Sequence, residues 1–168
     1  TLLLDPKNIT IGTDIELQSW AYQGLIGRWY RPDVDVNSLD TDDEFGAALA
    51  LSNDNTLLAV GAPGDDATGV ATTNAGAVYL FTFTNSDFAG GALAGVIGKG
   101  YSNGDNVNVS TLDANDNFGT SVAFDSDGDR LAVGATGDDA SGGGTSNAGA
   151  VYLFSFDDTD FSGGNLDA

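Results

Sequence analysis

The sequence predicts an all-β fold made of two tandem, four-stranded antiparallel modules preceded by N-terminal strands. Residues 34–93 align with residues 107–166 at a constant offset of 73 positions and without a gap. A fixed period of this length is typical of repeat architectures. Twenty-four glycines, together with many Val, Phe, Tyr and Thr residues, favour short strands joined by turns. We therefore expect almost no helix.

The module boundaries follow from the repeat. Ile26-Gly27 recurs as Ile97-Gly98, so the first module is placed at residues 26–98 and the second at residues 99–168. Residues 1–25 are predicted to form short strands, either the end of a preceding module or a segment that completes a neighbour's sheet by strand addition. The chain starts at a threonine and contains no Met, which favours a processed piece of a longer polypeptide.

Three strands are predicted in each module from the same patterns: one starting at Phe-Gly, then Leu-Ala-Val-Gly-Ala, then Ala-Gly-Ala-Val-Tyr-Leu-Phe. A weaker fourth strand follows in the first module, Leu93-Ala-Gly-Val-Ile-Gly98. Four antiparallel strands in about 70 residues, with glycines and aromatics in phase, indicate a β-propeller blade. Phe45 and Phe118, and likewise Tyr79 and Tyr152, are expected to occupy equivalent buried sites. The strands are placed at 45–52, 57–62 and 75–83, and at 118–125, 130–135 and 148–156.

The charge balance limits the partners of this chain. Twenty-five acidic residues outnumber five basic ones, giving a net charge of -20 at pH 7. Such a chain repels nucleic acid and anionic membrane surfaces. It also lacks the run of roughly 20 apolar residues that a membrane-spanning helix needs. We therefore expect neither nucleic-acid binding nor membrane insertion.

The residue types present argue against catalysis. The chain contains no Cys and no His, so it lacks thiolate nucleophiles and the commonest general base and metal ligand. Enzymatic chemistry would have to use carboxylate pairs, as glycosidases do. The repeated acids fall at predicted turns, whereas a general acid needs burial to raise its pKa. The expectation is that the chain is not an enzyme.

The turn between the first two strands of the second module is a candidate calcium loop. Asp125, Asp127 and Asp129 supply three carboxylates there, while the first module keeps only Asp54. Calcium takes six to eight oxygen ligands, so further ligands would have to come from carbonyls or water. The alternative is a plain hairpin, because Asp-Gly is itself a strong hairpin signal.

Paired carboxylates in both modules are a second candidate metal site. Adjacent carboxylates repel each other unless a cation or backbone amide groups hold them. Turns closed by Asp side chains are the alternative to a metal, both here and for the acids before Phe-Gly, Asp40 and Asp43. The paired acids are Asp65 and Asp66 in the first module, and Asp138 and Asp139 in the second.

Aromatic residues next to arginines near the start of the first module form a candidate binding platform for a sugar or a protein. Ordinary core and interface packing is the alternative explanation. The residues are Trp20, Tyr22, Trp29 and Tyr30, beside Arg28 and Arg31.

The chain resembles the FG-GAP repeat family, which forms the blades of integrin α-subunit β-propellers and of many bacterial surface proteins. The resemblance rests on Phe45-Gly46 with Gly61-Ala62-Pro63, and on Phe118-Gly119 with Gly134-Ala135, where a threonine follows in place of the proline. It implies a propeller-type fold used for adhesion or ligand binding. The integrin-type calcium loop, Asp-x-Asp-x-Asp-Gly-x-x-Asp, is incomplete in both modules.

Taken together, these features lead us to expect a non-catalytic, extracellular module for adhesion or structural assembly at a bacterial surface or matrix, with Ca²⁺ as a candidate stabilising ion. The alternative is an accessory, carbohydrate-binding domain of a secreted glycosidase or lyase. Closed propellers contain about four to eight blades, and this chain contains two. The expected partners are therefore other copies of the chain or the rest of a longer polypeptide, with a surface protein or polysaccharide as ligand.

Overall fold

A computed structural model describes residues 24–30, 33–68, 72–139 and 146–168. The described residues form strands and turns, with no helix among them, as predicted. The strands predicted within residues 1–23, and Trp20, Tyr22 and Arg31 of the candidate platform, lie outside the described residues. The strands are β1 Ile26–Gly27, β2 Val34–Asp35, β3 Ala48–Leu51, β4 Leu57–Ala62, β5 Ala77–Thr82, β6 Ala92–Gly98, β7 Val107–Asn108, β8 Phe118–Phe124, β9 Arg130–Ala135, β10 Ala150–Ser155 and β11 Asn165–Leu166.

Two larger sheets correspond to the two predicted modules. The first sheet has the order β3-β4-β5-β6-β7, and the second has the order β11-β10-β9-β8. Neighbouring strands from β3 to β6 and from β8 to β11 are antiparallel. Equivalent residues pair in the two sheets: Val60 lies opposite Tyr79, and Val133 lies opposite Tyr152. The prediction of two four-stranded antiparallel modules is confirmed, and the module boundaries at 26–98 and 99–168 stay a prediction.

Two short parallel strand pairs were not predicted, and the second of them joins the two modules. β1 pairs with β2 through Ile26 opposite Val34, and the end of β6 pairs with β7 through Ile97 opposite Val107. The second pair repeats the geometry of the first. Because β7 lies beside the last strand of the first sheet, the chain leaves that sheet and crosses directly to β8 of the second.

The main hydrophobic core lies between the two sheets. Strand β8 contacts both β3 and β4, so the second sheet covers one face of the first. The buried residues of the first sheet on this face include Leu57, Ala59, Val78, Leu80 and Ile97. Those of the second sheet include Leu131, Val133 and Phe154, with Phe156 and Phe161 from the segment that follows β10.

A second core covers the other face of the first sheet. Its residues are the repeat counterparts of the residues that the second sheet contributes to the main core. They include Val60, Tyr79 and Phe81, with Val36 and Leu39 from the preceding loop. The two sheets are therefore oriented alike. In each, the face that carries the large aromatic residues is packed against the part of the chain that precedes the sheet.

Glycines allow the backbones of the two sheets to touch. A Cβ atom on Gly61 would collide with the carbonyl oxygen of Gly119, and one on Gly76 would collide with the backbone of Phe118. The amide of Phe118 donates to the Ala75 carbonyl at 3.0 Å, and the amide of Asn117 donates to the Asn74 carbonyl at 3.1 Å. The Phe-Gly of one module thus fits against the two glycines of the module before it.

The repeated aromatics were predicted to occupy equivalent buried sites, and the prediction is wrong for their burial. Phe118 and Tyr79 are fully buried, whereas Phe45 and Tyr152 are only half-buried. The local packing is nevertheless the same, because Phe45 meets the Tyr79 ring edge-on at 5.4 Å and Phe118 meets the Tyr152 ring edge-on at 5.3 Å. The difference arises because the first sheet covers Phe118, while Phe45 lies on the outer side of that sheet.

Candidate functional site

The acids before each Phe-Gly hold the turn that leads into it. The Asp43 carboxylate accepts a hydrogen bond from the Asp40 amide at 2.6 Å, and Asp116 accepts one from the Asp113 amide at 2.6 Å. Burial raises the pKa of Asp43, and the negative charges of Asp65 and other nearby acids raise it further, against the opposing effect of the Asp40 amide. The pKa of Asp116 is raised in the same way. Both carboxylates therefore act as buried turn caps.

Asp65 is the centre of a buried cluster in the first module. Its carboxylate accepts hydrogen bonds from the Tyr79 hydroxyl at 2.7 Å, the Tyr101 hydroxyl at 2.9 Å and the Ala67 amide at 3.0 Å. Burial, followed by the Asp65 charge, raises the pKa of Tyr101 to about 12 and also raises that of Tyr79. Both phenols therefore stay protonated and keep donating at neutral pH.

The second module repeats this contact in a more open form. Tyr152 donates to Asp138 at 2.5 Å. Burial, followed by that hydrogen bond, raises the pKa of Tyr152 to about 12. Tyr152 is half-buried whereas Tyr79 is fully buried, so water reaches the second cluster more readily.

The second acid of each pair closes the loop before the third strand. Asp66 accepts a hydrogen bond from the Asn74 amide at 2.9 Å, and Asp139 accepts one from the Asn147 amide at 2.6 Å. The candidate metal-binding acids of both pairs thus have protein donors in this structure. Hydrogen bonds of this kind hold adjacent carboxylates without requiring a cation.

The turn proposed for calcium is a hairpin between β8 and β9. Asp125 accepts hydrogen bonds from the Gly128 amide at 2.9 Å and the Arg130 amide at 3.4 Å, while Asp127 accepts one from the Ser126 hydroxyl at 3.2 Å. The side chain of Asn53 donates to the Ser126 carbonyl at 2.9 Å, which links this turn to its counterpart in the first module. The hairpin is thus held by backbone donors and by a contact between modules.

Among the residues that the structure describes, no three acidic side chains are grouped closely enough to hold a metal ion. Calcium binding through Asp125, Asp127 and Asp129, or through the paired acids, stays a prediction. A bound ion would have to draw several of these carboxylates together or take ligands from carbonyl groups and water.

The described part of the candidate aromatic platform is open to solvent. Trp29 is 73% exposed and Tyr30 is 47% exposed, in the turn between β1 and β2. The Arg28 guanidinium lies 5.3 Å from the centre of the Trp29 ring and also pairs with Asp40 at 2.7 Å. The Trp29 amide donates to Asp35 at 2.8 Å. The ring is thus presented by a hydrogen-bonded turn.

Comparison with protein-family models gives a match to the FG-GAP repeat at residues 39–81 and 110–154, more than half of the chain. The chain belongs to the FG-GAP repeat family. The two FG-GAP matches begin just before each Phe-Gly and end within β5 and β10. They contain the turn-capping acids Asp43 and Asp116 and the glycines through which the two blades touch, Gly61, Gly76 and Gly119. A search of curated proteins finds no match to the chain.

None of the described residues forms a helix long and apolar enough to cross a membrane.

Two features of the FG-GAP blades were not found from the sequence. The donation from Tyr101 to Asp65 joins residues 36 positions apart, and nothing in the local pattern links them. The signal available was the recurrence of Asp-Asp and Tyr in the same phase in both modules. The interlock of Phe118-Gly119 with Gly61 and Gly76 was also missed, although the phase of these glycines pointed to a shared packing role.

Proposed function

We propose that this FG-GAP chain is a non-catalytic assembly module of an extracellular adhesion or surface protein. The observation that carries the proposal is the direct backbone interlock of two blades, in which Phe118-Gly119 fits against Gly61 and Gly76. Blades that bury their faces only against other blades are suited to building a larger scaffold. The net charge of -20 suits a solvated surface in a calcium-containing, extracellular medium.

The roles of the repeated acids support a non-catalytic function. A general acid or base must reach the proton that it transfers. Asp43 and Asp116, the two acids whose pKa is raised by burial, each accept a backbone amide of their own turn. Asp65 is buried and engaged by two tyrosine hydroxyls. These contacts stabilise the blades and leave the carboxylates turned toward the protein.

Adhesion is tested by displaying the chain on a non-adherent bacterium and measuring cell retention under flow. The surfaces are coated separately with extracellular-matrix proteins and with bacterial polysaccharides. Retention above that of cells displaying an unrelated folded domain is expected on at least one surface. Retention equal to that control on all coatings, with correctly folded chain on the cells, contradicts the proposal.

Carbohydrate binding is a second candidate, favoured by the exposed Trp29 ring with the Arg28 guanidinium against it. Exposed aromatic rings held by a rigid turn provide flat faces for sugar rings. Affinity electrophoresis through gels containing soluble polysaccharides measures this. Trp29→Ala should weaken retardation by about tenfold in affinity, equivalent to ~1.4 kcal/mol. Thr159→Ala, at another exposed loop residue, is the control, and equal behaviour of the two variants contradicts a role for Trp29.

A further inference from the structure

The outer face of the second blade repeats a face that is buried in the first. Val151 is 65% exposed and Leu153 is 46% exposed on β10. Their counterparts in the first blade, Val78 and Leu80, are fully buried beneath the second blade. The second blade therefore presents to solvent the same type of surface that the first blade uses to bind it.

The outer face of the first blade carries the surface that is complementary to this exposed face of the second blade. Leu49 is 65% exposed and Leu51 is 42% exposed on β3. Their counterparts in the second blade, Val122 and Phe124, pack against the core between the blades. Together with half-buried Phe45, these leucines form the surface that, in the second blade, binds the blade before it.

The counterparts of the residues that form the interlock lie on the outer faces of the two blades, where no other blade in the described part of the chain contacts them. A Cβ atom on Gly134, the counterpart of Gly61, would meet the Ser121 side chain of its own sheet, and one on Gly149 would have its nearest neighbour at 3.5 Å. At the other end, no heavy atom lies within 4 Å of a Cβ built on Gly46. Among the described residues, no hydrogen bond uses the amide of Phe45, the counterpart of Phe118.

We propose that a second copy of this chain docks its first blade on the second blade of the first copy, repeating the internal interlock. The Phe45 amide then donates to the Ala148 carbonyl of the other copy, as Phe118 donates to Ala75 within the chain. Leu49 and Leu51 of one copy cover Val151 and Leu153 of the other. This inference rests on the assembly role proposed above and names its partner.

The contact is head-to-tail, because different surfaces of the two copies meet. Such contacts close into rings or continue as filaments. Since closed propellers contain about four to eight blades, two to four copies of this two-bladed chain complete a ring. The net charge of -20 on each copy opposes association, so added salt should strengthen it by screening.

The native mass of the 168-residue chain tests this. Light scattering coupled to size-exclusion chromatography, from micromolar to millimolar concentration at moderate salt, should give two to four times the chain mass of 17.1 kDa. Leu153→Lys and Leu49→Lys each remove one half of the contact and should give monomers. Thr159→Lys adds the same charge at an exposed residue outside both faces and should keep the wild-type mass.

Mixing the two monomeric variants gives the sharpest result. The Leu49→Lys chain keeps an intact second-blade face, and the Leu153→Lys chain keeps an intact first-blade face. Their mixture should therefore form a dimer with a single intact contact, although neither associates alone. A monomeric wild type over the whole range overturns the inference and leaves these faces to other blades of a longer polypeptide. Wild-type mass for both variants, or no dimer in the mixture, overturns it as well. Adhesion is not read in this assay, so the proposed function is judged separately.

Discussion

Asp65 is a buried carboxylate whose charge is balanced by hydrogen bonds from groups far apart in the sequence. Tyr79 comes from β5 and Tyr101 from the segment after β6, so the cluster fastens the end of the first sheet to the chain that leaves it. A buried charge that loses a donor costs more than an exposed one, because no water replaces the lost bond. The two modules provide a matched comparison of this effect.

Tyr79→Phe should lower the free energy of unfolding by about 1.5 to 3 kcal/mol, the usual range for a hydrogen bond to a charged group. Tyr152→Phe removes the equivalent bond to Asp138 at a half-buried residue, where water can replace it, and should cost less than about 1 kcal/mol. Urea unfolding followed by circular dichroism measures both. Equal losses in the two variants would show that burial does not set the strength of this contact.

The buried carboxylates that cap turns, Asp43 and Asp116, make the free energy of unfolding depend on pH. Because the pKa of Asp43 and of Asp116 is raised in the folded state, folded chains hold more protons than unfolded chains above about pH 4. The free energy of unfolding therefore falls as pH rises from the ordinary carboxyl pKa through the raised folded values. Replacing both acids by Asn should reduce this fall, because the amide oxygen still accepts the turn hydrogen bond but carries no charge.

Asp158→Asn is a control of opposite sign. The Ser162 hydroxyl lowers the pKa of Asp158, so this acid contributes stability above its ordinary pKa that is lost as pH falls. Asp158→Asn should therefore reduce the gain in stability between about pH 2 and about pH 4, and it should leave the slope above about pH 4 nearly unchanged. Urea unfolding between about pH 2 and pH 7 measures the slopes in both ranges. An unchanged slope in the Asp43→Asn, Asp116→Asn variant would refute the role assigned to burial.

At the scale of the strands, the glycines of the Val-Gly-Ala segments set how closely two blades approach. Gly61 and Gly134 are repeat counterparts, yet only Gly61 faces the backbone of another blade in this chain. A Cβ atom on Gly119, whose φ is 93°, would lie 2.5 Å from the Ala77 carbonyl oxygen and 3.3 Å from the Gly61 Cα atom, so a larger residue would collide with the first sheet. The interface is therefore a backbone contact flanked by apolar side chains.

Gly61→Ala should destabilise the chain by about 1 to 3 kcal/mol, because the added methyl group forces the two sheets apart. Gly134→Ala adds the same methyl group against the rotatable Ser121 side chain and should change stability by about 0.5 kcal/mol or less in dilute solution. Thermal unfolding of both variants at one low concentration measures the difference. A loss in Gly134→Ala as large as that in Gly61→Ala would mean that intrinsic strand propensity, not the interlock, explains these glycines.

The long strands were predictable because their signals are local. The prediction of a strand at residues 57–62 matches β4, and that at residues 130–135 matches β9, since Leu-Ala-Val-Gly-Ala alternates over enough residues to show its period. The parallel pairs of Ile26 with Val34 and of Ile97 with Val107 span two residues each, too few for any period to appear.

The sequence predicted which acids form the candidate site, but it did not predict which hydrogen-bond donors hold their carboxylates. Repetition singled out Asp65 and Asp138, and turn chemistry offered a protein donor as the alternative to a metal. Which donor reaches each carboxylate depends on how β5 and the segment after β6 pack, which a local pattern does not encode. The same reason explains the unequal burial of Phe45 and Phe118, because burial depends on which neighbour covers each sheet.

At the scale of the whole molecule, the repulsion between negative charges destabilises the folded chain, whereas the packing of the two blades stabilises it. Twenty-five acids on 168 residues repel more strongly in the folded chain than in the expanded unfolded chain. Added salt of any kind should therefore raise the melting temperature by screening. A specific cation site would add to this by mass action, since an ion that binds the folded state alone stabilises it by RT ln(1 + [L]/Kd).

Millimolar calcium should raise the melting temperature and EDTA should reverse the increase, while magnesium at equal ionic strength should have a much smaller effect. Magnesium gives up its water reluctantly and needs a near-ideal octahedral site, whereas calcium accepts the irregular carboxylate and carbonyl oxygens of a turn such as 125–129. Asp127→Asn should remove the difference between the ions, because the Asp127 side chain is a proposed ligand that contacts the Ser126 hydroxyl rather than a backbone donor. Asp54→Asn, in the counterpart turn that has lost the other acids, should preserve it. Differential scanning calorimetry decides the matter: equal shifts with calcium and magnesium would leave screening alone, and the metal assignments to this turn and to the paired acids would fail together.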